Sequence, residues 1–287
     1  MAQNMNWFLW AAISVVTTSV ANLLQRAIMR EKDSDALGTA IIFQFAIALL
    51  TGIFAIWNGF VLPPIGDFFW NFLAATLLWG LGSLSLFKAN QMLESSEIAI
   101  ISSLGIVITI ASSLLFLGES FNIAKTIGTV LILSSIFLVT EKKEKFSFKK
   151  GTVYALITAL FYGLAVTNDA FILRTYDAVS YTSVISFLPG VLLLALRPRA
   201  VATFRRLRDM KFTKNMAFLT IFYSAQAVAY YLALHVGANA SQLAPIYKSS
   251  IILTVLLAIV FLKEKERISL KVVSAALVTA GVLLIIR

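Results

Sequence analysis

Residues 96–119 read SEIAIISSLGIVITIASSLLFLGE, and 145 residues further on residues 241–264 read SQLAPIYKSSIILTVLLAIVFLKE. Laid together without gaps, the two share eight of twenty-four positions, including Phe116, Leu117 and Glu119 against Phe261, Leu262 and Glu264. Each holds an apolar run of about twenty residues, the length that crosses a hydrocarbon core of about 30 Å as a helix. Near the start of each half, DALGTAIIFQF from Asp35 resembles DAVSYTSVISF from Asp177. Self-similarity at a fixed period is the signature of a duplicated structural unit.

Composition agrees with a membrane location. Of 287 residues, 59% are hydrophobic and 13% charged, with a mean hydropathy of +0.87. Soluble domains carry about 25% charged residues. The net charge of +10 would suggest nucleic acid as a partner of a soluble chain. Here the basic residues fall in short connections between apolar runs, so nucleic acid is not expected and the positive-inside rule accounts for them. Cysteine is absent, which excludes disulfides and thiolate chemistry. The first run, from Trp7, lacks a basic leader and a small-residue cleavage pattern, and reads as a first span.

Ten spans are expected, at about 5–26, 35–58, 68–91, 96–117, 121–140, 149–173, 178–196, 214–236, 240–262 and 268–286. The period then encloses five spans, dividing the chain into repeats over 1–145 and 146–287. Five is odd, so the repeats cross the membrane in opposite directions. The fold class expected is an all-α integral membrane protein, ten transmembrane helices built as two inverted five-helix repeats, an architecture many secondary transporters share. Connections after spans one, five, seven and nine hold most of the Lys and Arg, whereas the alternate ones hold chiefly Lys125 and Arg174. The basic set is expected in the cytoplasm and both termini outside.

Two inverted five-helix halves, each with an acidic residue between its fourth and fifth helix (FLGE at Glu119, FLKE at Glu264), resemble the drug/metabolite transporter superfamily. The closest likeness is to its ten-helix EamA-type branch, over essentially the whole chain. The resemblance implies a carrier of small organic molecules such as amino acids, sugars or drugs, working by alternating access. It also implies a central cavity lined by helices one to four and six to nine, with the fifth and tenth peripheral. One departure stands: many members have both termini in the cytoplasm, whereas the charges here place them outside.

Helical spacing shows which polar residues share a face. Span one carries Ser14, Thr18, Asn22 and Gln25; span two Gln44 and Thr51; span three Trp79, Ser83 and Asn90. Span six carries Thr158, Tyr162 and Asp169 with Asn168 beside them, and span eight Tyr223, Gln226 and Tyr230. Small hydroxyls in membrane helices commonly bond back to their own helix or pack at helix contacts; the amides are costlier to bury. In span nine Lys248 follows Pro245 by three residues, with Tyr247 beside it. A lysine at the centre of a span costs about 2.5–3.5 kcal/mol on insertion scales, and such residues mark functional sites by default. The substrate-binding set expected is therefore Lys248, Tyr247, Asn22, Gln44, Trp79, Ser83, Tyr162, Asn168, Gln226 and Tyr230. Lys248 meets an anionic group of the substrate, pairs with Asp169, or snorkels towards an interface through its long stem. Asp169 in turn carries a coupling proton, pairs with Lys248, or caps with Arg174 at the rim. Lys88 reads as snorkelling to the cytoplasmic end. Glu119 and Glu264 read as acids at the N-termini of spans five and ten, and His235 as a rim residue.

The function expected is a secondary transporter in the cell (plasma or inner) membrane, moving a small and possibly anionic organic metabolite. Its partners are that substrate, the lipid bilayer and, as one option, a proton; monomer and homodimer both stay open. No metal or cofactor is expected, and the chain is not expected to be an enzyme. A membrane-embedded enzyme and a non-transporting assembly subunit are the alternatives. The first would normally need a His, Asp or Cys constellation, and the sequence offers one rim histidine and no cysteine.

Overall fold

The computed structural model describes residues 6–29, 35–93, 95–140, 150–254 and 268–286. The first half forms α1 (Trp7–Met29), α2 (Ala36–Trp57), α3 (Ile65–Met92), α4 (Ser95–Leu117) and α5 (Ile123–Thr140). The second forms α6 (Lys150–Ile172), α7 (Ala178–Leu196), α8 (Met210–His235), α9 (Ala240–Lys248) and α10 (Ile268–Ile285). Among the described residues, six helices are long and apolar enough to cross a membrane: α1, α2, α3, α6, α7 and α8. Shorter apolar stretches lie within α4, α5 and α10.

Local chemistry starts the second helix of each half in the same way. The Asp35 carboxylate accepts from the Leu37 N–H at 3.2 Å, and that of Asp177 from the Ser180 N–H at 2.7 Å. These are the aspartates that open the two similar stretches, acting as N-caps. Two elements differ from expectation. The basic connection after α7 is not a plain loop but a 3-10 helix, Pro198–Arg208, pressed so closely on α2 that a Cβ at Gly38 would sit 2.3 Å from Thr203. The ninth span is interrupted. α9 stops at Lys248, Ser249 is a turn, and helix resumes over 250–254. Ser249 satisfies the broken turn locally, its hydroxyl donating to the Ile246 carbonyl at 2.5 Å. The remainder of that span lies outside the described residues.

Helices of the two halves interleave. α1 packs along α8 and α3 along α6, while α2 pairs with α7 and α5 with α10. Exchanging the halves turns the α1–α8 pair into α6–α3 and leaves the other two pairs unchanged, as a duplicated unit requires. The surface is apolar and the interior comparatively polar. Leu49, Ile56, Leu115 and Phe116 are exposed, whereas Ser14, Thr39, Ser113 and Asp169 are buried. Exposed apolar area on this scale needs a bilayer to cover it.

At the end away from the basic connections, hydrogen bonds tie neighbouring loops and helix termini together. Tyr176 donates to the Val61 carbonyl at 2.8 Å, and the Val61 N–H donates to Ser180 at 3.0 Å. Arg174 donates to the Leu117 carbonyl at 2.9 Å, and His235 Nδ1 lies 2.9 Å from the Leu173 carbonyl. The Glu119 carboxylate accepts from the Ala240 and Ser241 N–H groups at 2.8 and 2.9 Å. Glu119 therefore caps α9, not α5 as the sequence suggested, because the chain reversal at Gly118 (φ +65°) turns it toward the other half. Glu264 lies outside the described residues.

Candidate functional site

The interior opens into a cavity of about 410 Å³, within the range of small-molecule sites. Its described wall comes from α1–α4 and α6–α9 with the helical residues that follow α9; α5 and α10 contribute nothing. That division follows from packing. Gly128 and Gly281 bring α5 and α10 together so tightly that a Cβ on either would lie 2.6–2.7 Å from the other's carbonyl oxygen, leaving these helices engaged with each other at the periphery.

Eight of the expected residues line the cavity: Asn22, Gln44, Trp79, Tyr162, Gln226, Tyr230, Tyr247 and Lys248. Asn22 and Gln25 approach from the last turns of α1, Asn90 from the end of α3 and Ile98 from the start of α4. The cavity thus extends toward the end of the bundle that carries the basic connections, where Asn22 is exposed. Aromatic side chains form much of the wall. The Trp79 and Tyr162 rings stand 4.7 Å apart and those of Tyr230 and Tyr247 5.1 Å apart.

Lys248 projects from the last residue of α9, and its Nζ donates to Ser102 Oγ across 3.3 Å. On the 145-residue offset, Ser102 and Ser103 of α4 correspond to Tyr247 and Lys248 of α9. The lysine thus meets its own repeat-equivalent region in the other half. α1 braces the interruption beyond it: Ser19 donates to the Ser250 carbonyl at 3.0 Å, and Thr254 donates to the Ser19 carbonyl at 3.3 Å. A charge at membrane depth is tolerated where it borders a cavity.

Asp169 does not reach Lys248 or Arg174. Its carboxylate is fully buried and accepts from Trp79 Nε1 at 2.8 Å, the Tyr181 hydroxyl at 2.5 Å and the Tyr231 hydroxyl at 3.1 Å. These donors come from α3, α7 and α8, so one side chain of α6 joins four helices. Asn168 and Ser83 are absent from the cavity wall. Asn168 instead exchanges hydrogen bonds with Asn71 of α3, accepting at 2.8 Å and donating to its carbonyl at 3.0 Å. Ser83 is buried, next to Gly82, against which the Tyr162 ring packs. Lys88 sits 4.9 Å over the Tyr154 ring, a cation–π contact between α3 and α6. Tyr181 and Tyr231 escaped the sequence reading because tyrosines on apolar helices look like packing residues. Only a partner carboxylate on another helix gives them a polar role.

Two of the hydroxyls bond back to their own helices. Thr51 donates to the Ile47 carbonyl at 2.7 Å and Thr158 to that of Tyr154 at 2.9 Å. Gln226 behaves differently. It is 6% exposed and lines the cavity, yet its Oε1 has no hydrogen-bond partner among the described residues.

A search among curated proteins finds no match. Among solved structures 29 chains match. One, described only as "Crystal structure of protein", superimposes with a TM-score of 0.75 at 12% identity over 96% of this chain and 94% of its own. At that identity the likeness shows the fold alone. The EamA-like transporter family matches twice, over residues 5–141 and again over 149–287. Two copies in tandem cover nearly all of the sequence, and the interleaved helix pairs are their structural expression. The chain is a multi-pass membrane protein of the EamA-like transporter family, within the drug/metabolite transporter superfamily.

Proposed function

We propose that the protein is a secondary transporter that carries a small organic molecule across the cell membrane by alternating access. Ten crossings are arranged as two inverted repeats, residues 1–145 and 146–287, with both termini outside. The reading is carried by one observation: among the described residues, a cavity is walled by eight helices, four from each half, with the fifth of each half set aside. A cavity shared between halves changes its opening when the halves rock, which is how inverted-repeat carriers work. Substrate is held by Lys248, Tyr247, Asn22, Gln44, Trp79, Tyr162, Gln226 and Tyr230. Asn168 and Ser83 serve helix packing. Asp169 serves as a latch at the closed end, where three donors hold it. Coupling to a proton is a second reading, favoured by the burial of that carboxyl with no cation beside it among the described residues.

The test is counterflow in liposomes containing the purified protein, with labelled amino acids, sugars, nucleosides and organic acids. Exchange of one class above empty liposomes is the expected result. A chain that binds ligands from this panel but exchanges none of them would be a non-transporting subunit, and the carrier reading would fall.

A further inference from the structure

The described cavity wall carries a single charged side chain, Lys248. The nearby Asp169 is not part of that wall; its oxygens are directed to Trp79, Tyr181 and Tyr231. A cationic substrate would find aromatic faces but also a like charge and no lining carboxylate. An anionic substrate finds the Lys248 ammonium, beside the Ser102 hydroxyl at 3.3 Å, a cation able to donate to a carboxylate or phosphate. The repeat gives this cradle a direction. Where α9 presents Tyr247 and Lys248, the equivalent positions of α4 present Ser102 and Ser103, so the charge comes from one half only.

The rest of the wall addresses a different part of the ligand. Trp79, Tyr162, Tyr230 and Tyr247 offer ring faces and edges suited to a flat unsaturated body. Gln226 Oε1 is an acceptor on a side chain more than nine-tenths buried and is without a partner among the described residues, and a ligand N–H or O–H would satisfy it.

We infer that the substrate is an organic anion with a flat aromatic or heteroaromatic body and a hydrogen-bond donor separate from its anionic group. The anion rests on Lys248 and Ser102, the ring lies among the tyrosines and Trp79, and the donor reaches Gln226. This rests on the carrier reading, whose cavity it uses.

The test measures both binding, by thermal stabilisation of the purified protein, and counterflow in liposomes. The probes are 4-hydroxyphenylacetate, its donor-free analogue phenylacetate, indole-3-carboxylate, the saturated cyclohexaneacetate, the cation tyramine and neutral glucose. The aromatic anions are expected to bind and exchange, 4-hydroxyphenylacetate best; cyclohexaneacetate is weaker, and tyramine and glucose are inactive. Lys248→Gln is expected to weaken the aromatic anions about tenfold or more, while Lys248→Arg retains binding and shows that the fold tolerates the site. Gln226→Leu is expected to remove the advantage of 4-hydroxyphenylacetate over phenylacetate. Exchange of tyramine or glucose in preference to the anions would keep the carrier and overturn this substrate class. Anions that bind without exchanging would keep the class and overturn the carrier. The substrate class also falls if no aromatic anion binds, or if Lys248→Gln binds them as well as the parent chain.

Discussion

Asp169 is buried with no cation beside it among the described residues, and its stability rests on direction: two phenolic O–H groups and one indole N–H all donate to it. An asparagine has the same shape but turns an amide N–H₂ toward groups that are themselves donors. Asp169→Asn therefore leaves buried donors unmatched, at a cost of about 1–3 kcal/mol. Tyr181→Phe removes one donor and leaves the carboxylate two others, so it should cost less. Unfolding in detergent orders the three proteins, and an Asp169→Asn chain as stable as the parent would refute the account. Much of the site was legible residue by residue, because polar side chains on apolar helices stand out at three- and four-residue spacing. Asn22, Gln44, Gln226 and Lys248 all reach the cavity. Asn168 does not, because adjacent helix positions differ by about 100°, enough to turn a side chain from a cavity to a neighbouring helix. Asp169 was legible as important but not as to partner, since its partners are tyrosines that no spacing rule connects to it.

At the scale of elements, the acids of the FLGE and FLKE pair were visible, but the helix each serves was not. Glu119 reaches across the fold to hold two N–H groups at the start of α9, where the helix dipole also favours a carboxylate. Glu119→Ala should cost about 1–2 kcal/mol as a lost cap and speed amide exchange in the first turn of α9. Hydrogen-exchange mass spectrometry over residues 239–243 reads this directly, and unchanged exchange would show that the cap is idle. The α5–α10 seam supplies a contrasting case. Gly128→Leu would drive a side chain into the Gly281 carbonyl, an overpacking cost of about 1–3 kcal/mol. Neither helix walls the cavity, so the thermal midpoint should fall while affinity for a cavity ligand stays. A parallel loss of affinity would place α5 in the site after all. The 3-10 helix Pro198–Arg208 escaped the sequence reading because its proline start and repeated arginines carry the composition of a loop.

At the scale of the whole molecule, the repeat was legible because duplication leaves identities at a fixed offset. The interleaving of α1 with α8 and α3 with α6 was not, because pairing between halves leaves no local mark. With that interleaving, the Val61, Arg174, Glu119 and His235 contacts tie together the end away from the basic connections, and the cavity extends toward the other. If the basic connections lie in the cytoplasm, this conformation faces inward. The absence of cysteine makes the claim directly testable, since each introduced thiol is alone in the chain. Asn22→Cys, at the exposed part of the cavity wall, should react with a membrane-impermeant thiol reagent supplied from the cytoplasmic face of oriented vesicles. Tyr176→Phe removes the hydroxyl that holds Val61 and loosens the closed end. Added to Asn22→Cys, it should slow cytoplasmic labelling and increase labelling from outside, because the two openings exclude each other in an alternating carrier. Labelling from outside in the single variant would reverse the orientation read from the charges. Faster labelling from both faces in the double variant would describe a leak, and alternation would be lost as an explanation of this fold.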